Sequence, residues 1–295
     1  MTTPDPASSG EPCAVTCTLD CIVKLGGSAL THKGQLETVQ PHALQAAART
    51  VKRLCAEGRS CVVVHGAGSY GHFQAKEYHV SKGTSGPSPP ELDHLRIGMC
   101  LTRLSVTKLN HLVTEQLVKE GIPAVGISPF GAWKMSSRQV AQASTAGVRD
   151  ALISGYVPVL HGDCAIDATQ HCCILSGDTV IKVLSKEFGP KRVAFLTDVE
   201  GIYDRPPNLP GANLLDTIMV SPTGHLEPPV TTSTLAHDVT GGADLKIQTA
   251  VSIVLQSCGA IQVFVCKLGS PGAEKACLQG DIGAGEGTKF VLAAP

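Results

Sequence analysis

Short apolar runs recur along the chain, and each of them ends in a polar or glycine-bearing turn. The first two are Cys21–Leu25 and 61–64, and the second is an unbroken β-branched run, which is typical of a strand buried on both faces. The later runs that share this pattern, and that we also predict as strands, are 124–127, 157–160, 173–175, 193–196, 261–265 and 289–292. The pattern therefore predicts many short strands, each followed by a turn.

Helical spacing separates several of these runs. Residues 41–57 place apolar side chains three and four positions apart, with Pro41 at the start and Gly58 just past the end, which predicts an amphipathic helix. Longer helical patterns follow over 92–120 and from 241 to about 257. Two other stretches do not fit a helix or a buried strand: we expect an irregular surface segment at 83–90, and hairpins or loops over 203–239.

The alternation of strands and helices predicts an α/β fold with a largely parallel sheet that helices cover on both faces. Ligands of such sheets bind beyond the carboxyl ends of the strands. The 295 residues are enough for two domains or for two lobes that share one sheet.

Charge excludes some classes of partner. Lys and Arg number 24 against 25 Asp and Glu, so no overall field attracts nucleic acid or an anionic membrane, and we expect neither partner. No stretch approaches the roughly 18 consecutive apolar residues of a membrane span. The 12 cysteines form no CxxC pair, so we expect reduced thiols in a cytoplasmic protein. Residues 1–19 are predicted to be a disordered polar leader, unlike a targeting signal.

Three glycine-rich segments are candidate anion-binding loops: 24–28, 66–71 and 241–246. The first contains Lys24 and the third contains Lys246. None has the spacing of a P-loop, and the literal GxGxxG at 66–71 is a weak signal because it follows the second strand. An ordinary tight turn would explain any one of them. Together with Lys24, Lys33 and Lys246 they favour a site for phosphate, because glycine loops and ammonium groups both bind anions.

The order of these motifs resembles that of the amino acid kinase superfamily. The motifs are KLGGS at 24–28, HGAGSYGH at 65–72, HGD at 161–163, SGD at 176–178, TDVEGIY at 197–203, GGADLK at 241–246 and GEGT at 285–288. Within the superfamily the chain resembles the isopentenyl phosphate kinases, and the resemblance covers about residues 21–292. His72, which ends the second glycine loop, distinguishes this branch from the members that phosphorylate carboxylates.

The resemblance implies a three-layer α/β/α sandwich with an open, mostly parallel central sheet. It implies an N-terminal lobe, 20–190, that binds the phosphate acceptor and a C-terminal lobe, 191–295, that binds ATP, both on one continuous sheet. A homodimer is implied as well. The implied reaction is ATP-dependent phosphorylation of isopentenyl phosphate to isopentenyl diphosphate by direct in-line transfer, with isopentenyl phosphate as the small-molecule substrate.

The resemblance also implies site residues. The implied catalytic residues are Lys24, Lys33, His72, Asp178 and Lys246. The implied ATP contacts are Lys24, Leu25, Gly26, Gly27, Ser28, Gly68, Asp198, Tyr203, Gly242 and Lys246. The implied substrate contacts are Ala67, His72 and Gly162. No metal ligand is expected from the protein, and Mg²⁺ would be held mainly by the phosphates.

The chemistry agrees with this set of residues. A phosphate monoester has a second pKa of about 6 and is largely dianionic at neutral pH, so as a nucleophile it needs no general base. We therefore expect His72 to bind and orient the acceptor phosphate. We expect His65 to be structural. An isoprenoid tail needs an apolar pocket near the 92–120 helix, but core packing is the expected role of Ile97, Met99 and Leu101 individually.

Two other functions remain open at this point. The same fold could phosphorylate an amino-acid carboxylate or a nucleoside monophosphate, and an assay of several acceptors would separate these substrates. A non-catalytic nucleotide-sensing module could also keep the glycine loops. The presence of Lys24, Lys33 and Lys246 together argues against a sensor, because a sensor has no transferring phosphoryl group to stabilise.

Overall fold

A computed structural model describes residues 18–84, 86, 88–231 and 242–294. The predicted leader falls almost entirely outside these ranges, as do Cys13, Cys17 and Gly241. Leu19, which the prediction included in the leader, is described and is buried in the core.

The described residues form thirteen strands and eight α-helices. The strands are β1 (Cys21–Leu25), β2 (Cys61–His65), β3 (Ala124–Gly126), β4 (Trp133–Ser136), β5 (Gln139–Ala143), β6 (Val157–His161), β7 (Asp163–Asp167), β8 (His171–Leu175), β9 (Arg192–Thr197), β10 (Thr217–Val220), β11 (Leu226–Glu227), β12 (Gln262–Lys267) and β13 (Thr288–Leu292). The helices are α1 (Gly27–Leu30), α2 (Pro41–Ala56), α3 (His72–Glu77), α4 (Pro89–Lys119), α5 (Ala146–Ile153), α6 (Gly177–Phe188), α7 (Gly242–Gln256) and α8 (Pro271–Leu278).

The central sheet has nine described strands in the order β11-β10-β13-β12-β9-β1-β2-β6-β3. β1 pairs in parallel with β2 on one side and with β9 on the other, so strands from both halves of the chain belong to one sheet. β12 and β13 pair antiparallel, as do β10 and β11, and the other described neighbours are parallel. This arrangement confirms the predicted α/β class.

Side chains of the central strands alternate between two hydrophobic clusters, one on each face of the sheet. Ile22 and Val62 belong to the first cluster, to which α5, α6 and α7 contribute, whereas Val23 and Val63 belong to the second, formed with α2, α4 and α8. The apolar runs are unbroken because both faces of these strands are buried. The result is the predicted three-layer sandwich.

A second sheet was not predicted. It has four described strands in the order β5-β4-β7-β8, and β8, which we expected in the central sheet, pairs antiparallel with β7. β5 is partly exposed along its length, so it lacks the unbroken apolar run that identified the central strands. The sheet packs beside α4 and places the start of β7 next to the end of β6.

The segment predicted as irregular at 83–90 instead contains the start of α4. Ser88 caps the helix in a reciprocal pair with Glu91, and Pro89 occupies the first turn, where proline is tolerated. Core packing was a wrong expectation for Ile97 and Leu101, because these side chains are 55% and 36% exposed.

Met99 is partly buried against a small cluster that includes Leu95 and Val80. Within 203–239, β10 and β11 form the expected hairpin, while 232–239 lie outside the described residues. No helix in the described ranges has the length and apolarity needed to cross a bilayer.

Candidate active site

Glycine loops leave adjacent strands at one edge of the central sheet. Gly26, Gly66 and Gly162 donate their backbone N–H groups to carbonyl oxygens at the ends of β9, β1 and β2, over 2.8, 3.0 and 2.9 Å. These bonds continue the ladder past the strands and hold the loops side by side at the edge where ligands of such sheets bind. The amide of Gly26 is therefore used to fix the loop, whereas those of Gly27 and Ser28 begin α1, where no intrahelical partner exists.

The first two glycine loops pack backbone against backbone. A Cβ atom on Gly66 would lie 2.9 Å from the nitrogen of Gly27, and one on Gly27 would lie 2.8 Å from the Cα of Gly68. Gly68 also has a φ of +53°, which glycine adopts without strain. Thr31 donates a hydroxyl hydrogen bond to Gly27 O (2.8 Å) and accepts one from the Ser69 N–H (2.9 Å). These glycines are thus needed for close packing of two loops as well as for any ligand.

Lys24 and Asp178 form a buried ion pair. Lys24 Nζ lies 3.1 Å from Asp178 Oδ1, and both side chains are less than 10% exposed. β1 supplies the lysine, and the first turn of α6 supplies the aspartate, where the Ser176 side chain caps the helix. Each charge balances the other, since an unpaired charge would be costly at this depth.

Asp198 joins three polar groups at the end of β9. Its carboxylate lies 3.2 Å from Lys33 Nζ and accepts hydrogen bonds from the hydroxyls of Ser28 (3.1 Å) and Thr197 (3.0 Å). Burial opposes ionisation, but the Lys33 ammonium and these hydrogen bonds outweigh it and lower the pKa of Asp198. The first glycine loop and Lys33 are thereby tied to the strand end on the far side of β1.

Lys246, on α7, also extends its side chain to the end of β9. Its Nζ donates to Thr197 Oγ1 over 3.4 Å. Burial, followed by repulsion from the Lys24 ammonium, lowers the pKa of Lys246 to about 8, although Asp178 and Asp198 oppose the shift. Three lysines and two aspartates therefore converge at one edge of the sheet, where the positive charges can face a polyanion.

The predicted acceptor residues lie on the neighbouring strand ends. Ala67 follows β2 and precedes a single 3₁₀ turn (Gly68–Tyr70), His72 begins α3 and is exposed, and Gly162 connects β6 to β7. β2 and β6 are adjacent in the sheet. The two loops that carry the predicted acceptor contacts are therefore neighbours, on the other side of β1 from Asp198.

Comparison with known proteins fits this geometry. A model of the amino acid kinase family matches residues 21–267. The chain belongs to the amino acid kinase family. It is 38% identical to the isopentenyl phosphate kinase of Arabidopsis thaliana, with 89% of this chain and 91% of that protein covered. It is 37% identical to the isopentenyl phosphate kinase of Methanothermobacter thermautotrophicus, with 77% and 84% covered.

A solved structure of isopentenyl phosphate kinase has the same fold. It superposes with a TM-score of 0.77 at 31% identity and covers 92% of this chain and 99% of that chain. The amino acid kinase fold predicted from the motifs is thus confirmed, including the open, mostly parallel central sheet.

Two histidines next to the glycine loops of this family member are structural. His65 and His161 are buried with their rings stacked 5.7 Å apart, and each Nδ1 hydrogen-bonds the carbonyl of the following glycine. Asn110 Nδ2 lies 3.1 Å from His65 Nε2. Burial and the nearby His161 lower the pKa of His65 to about 3, so its ring is neutral and suited to these bonds.

Two further predicted nucleotide contacts lie on the ATP side of the predicted site. Tyr203 follows β9 in the loop after Asp198 and is half-buried, with a backbone bridge to Leu214. Gly242 is the first described residue of α7, four positions before Lys246. No described contact joins either residue to the lysine cluster.

Sequence reasoning missed two contributors. Thr197, inside the quoted TDVEGIY motif, links Asp198 to Lys246 through its hydroxyl. Arg103, on α4, contacts Asp163 of the HGD motif over a separation of 60 residues. The acidic residue directly after Gly162 was the available signal for the second contact, but no pattern in the sequence pointed to its partner.

The described residues contain no group of three histidine, cysteine or acidic side chains that could hold a metal ion. The two carboxylates at the site, Asp178 and Asp198, are both paired with lysines. Mg²⁺ accepts few protein ligands when phosphates and water complete its shell, so this donor set fits an ion that is bound mainly by a nucleotide.

Proposed function

We propose that this chain transfers the γ-phosphoryl group of ATP directly to isopentenyl phosphate, yielding isopentenyl diphosphate and ADP for isoprenoid biosynthesis. The observation that carries the proposal is the convergence of Lys24, Lys33 and Lys246 at one sheet edge. The chain that presents them is similar over most of its length to isopentenyl phosphate kinases.

The acceptor chemistry suits this site. A phosphate monoester is largely dianionic at neutral pH and attacks without a general base. The obstacle is repulsion between two anions, and transfer through a loose transition state mainly requires positioning and positive charge. Asp178 and Asp198 are both paired with lysines, so neither carboxylate is free to act as a base, and this agrees with a reaction that needs none.

On the donor side, we assign Lys24 and Lys246 to the ATP phosphates, Lys33 to the charge that develops in transfer, and Asp178 to orienting Lys24. The proposed ATP contacts are Lys24, Leu25, Gly26, Gly27, Ser28, Gly68, Asp198, Tyr203, Gly242 and Lys246. On the acceptor side, Ala67, His72 and Gly162 would hold the phosphate of the substrate. The assignment of His72 is supported by its exposed position at the start of α3, next to the second glycine loop.

Mg²⁺ would be bound with ATP and would supply further charge neutralisation on the phosphates. The proposed lobes are 20–190 for the acceptor and 191–295 for ATP, since Gly162 and Asp198 lie on opposite sides of β1. We further propose a cytoplasmic homodimer, on the basis of the family resemblance. Sedimentation of the purified chain would test the dimer.

A panel of acceptors tests the proposed function. The chain is incubated with γ-labelled MgATP and, separately, isopentenyl phosphate, acetylglutamate, aspartate or UMP. We expect labelled diphosphate from isopentenyl phosphate alone, and no labelling with the Lys246→Met variant, which controls for contaminating kinases. Labelling of a carboxylate or of UMP in place of isopentenyl phosphate would contradict the proposal, and no product with any acceptor would favour a nucleotide sensor.

A further inference from the structure

Asp163 is a buried carboxylate directly after Gly162, and the proposed mechanism does not use it. Its side chain is 0% exposed, yet α4 places a cation against it: Arg103 Nε donates to Asp163 Oδ1 over 3.1 Å. The backbone N–H of Cys164 donates to the same oxygen over 2.7 Å. A buried ion pair therefore stands next to one of the proposed acceptor contacts.

Ser128 completes the contacts of this pair. Its hydroxyl donates to Asp163 Oδ2 (3.0 Å) and accepts from an Arg103 NH2 group (3.1 Å) and from the backbone N–H of Phe130 (3.2 Å). The guanidinium lies 3.8 Å above the centre of the Phe130 ring. Three segments of the chain, namely α4, the loop after β3 and the start of β7, thus meet at one carboxylate.

Arg103 carries the charge that balances Asp163. His161 Nδ1 is 3.8 Å from Asp163 Oδ2, but that nitrogen is 3.0 Å from Gly162 O, and burial lowers the pKa of the ring, so His161 is neutral at pH 7. Without Arg103 this buried carboxylate would lose the charge that balances it, which is costly, and it would turn toward water. That turn would break its bond with the Cys164 N–H and disturb the backbone next to Gly162.

The position of Gly162 has little tolerance. Its N–H is bonded to the end of β2, and a Cβ atom at this position would lie 3.0 Å from the nitrogen of Gly177, at the start of the helix that carries Asp178. A shift of Gly162 would therefore move the acceptor loop directly. It would reach the ATP side only through Gly177 and the ion pair that Asp178 forms with Lys24.

We infer that Arg103 and Asp163, bridged by Ser128, are positioning residues that hold the loop at Gly162 in place beside the proposed position of the acceptor phosphate. The inference rests on the proposed function. Neither side chain needs to touch the substrate. Their contribution is to fix the backbone of the acceptor loop, and misplacement of a binding loop by about 1 Å can cost large factors in rate.

The test measures the acceptor and ATP separately in the full chain. Arg103→Met should raise the KM for isopentenyl phosphate about tenfold and leave the KM for ATP within about twofold, because the acceptor loop is displaced directly and the ATP side only through Gly177. Arg103→Lys should give an acceptor KM between those of the parent chain and Arg103→Met. The lysine ammonium restores the positive charge, but it cannot reproduce the planar guanidinium that donates to both Asp163 and Ser128. Arg96→Met is the matched control, because Arg96 lies on the same helix in an exposed pair with Asp93.

Ser128→Ala provides a second variant in case Arg103→Met does not fold. It removes one bridge from the network while keeping the ion pair, and it should raise the acceptor KM severalfold while lowering the melting temperature only slightly. Equal KM values for the acceptor in the parent chain, Arg103→Met and Ser128→Ala would overturn the inference, as would equal rises in both KM values. A parent chain that does not phosphorylate isopentenyl phosphate would instead overturn the proposed function.

Discussion

The three lysines of the site differ in what surrounds their ammonium groups. Lys24 is paired with Asp178 in the interior, and Lys33 is paired with Asp198 at the surface. Lys246 contacts a hydroxyl, and burial holds its pKa at about 8, well below the usual value for lysine. The charge of Lys246 therefore changes within an accessible pH range.

This pKa predicts a basic limb in the pH profile. Because Lys246 must be protonated to neutralise ATP, and its pKa in the free protein is lowered to about 8, kcat/KM for MgATP should fall as the pH rises above that value. Initial rates at limiting ATP, measured at constant ionic strength, provide the profile. A Lys246→Arg variant should be slower but level between about pH 7 and pH 9, because arginine keeps its proton. A parent profile that stays level to the same pH would rule out this role for Lys246.

His72 provides a second prediction at this scale. His72→Ala should raise the KM for isopentenyl phosphate and lower turnover by about 10²-fold, a typical effect for a group that positions a reactant. Binding of ATP, measured by calorimetry, should persist. His111→Ala is the control, since His111 is another exposed histidine, on α4. Turnover that is the same in the two variants would remove His72 from the site.

The sequence predicted the residues that lie in or beside a motif, and it missed contacts that depend on the folded chain. Lys24 and Asp178 belong to quoted motifs and do meet in the structure. Arg103 lies in an ordinary helical stretch, and its partner Asp163 is 60 residues further along the chain. No local pattern encodes a contact over that separation.

At the scale of elements, the contact between the first two glycine loops leaves no room for a side chain. A Gly27→Ala substitution places a methyl group against the Gly68 backbone, 2.8 Å from its Cα, so we expect a loss of about 1–3 kcal/mol in the free energy of unfolding and weaker ATP binding. Gly34→Ala is the matched control, because a Cβ atom there meets no atom within 4 Å. Urea unfolding of both variants gives the comparison, and equal stability would contradict the packing argument.

Prediction of elements succeeded where both faces of a strand are buried. Cys21–Leu25 is identical in the prediction and in the structure, because its unbroken apolar run reflects contact with two helical layers. β4 and β5 were missed because they belong to a small sheet with exposed positions, which leaves no apolar run. The start of α4 was missed because proline and serine were interpreted as loop residues, although they also begin helices.

At the scale of the whole molecule, β1 connects the two proposed lobes. It pairs with β9 as well as with β2, and the first hydrophobic cluster combines Ile22 and Val62 with Val193 and Val263. A fragment consisting of residues 191–295 should therefore show no cooperative thermal transition, because β9 would lose its neighbour β1 and the remaining part of this cluster would be exposed. A cooperative melt of that fragment, with ATP binding retained, would show that the lobe folds independently.

The central claim is phosphoryl transfer from ATP to a phosphate monoester, and phosphorus NMR of the reaction tests it most directly. Purified chain, MgATP and isopentenyl phosphate are observed in one tube over time. The account predicts that the monoester resonance disappears, that two mutually coupled diphosphate resonances replace it, and that ADP forms in equal amount. Release of inorganic phosphate from ATP while the monoester resonance remains unchanged would contradict it.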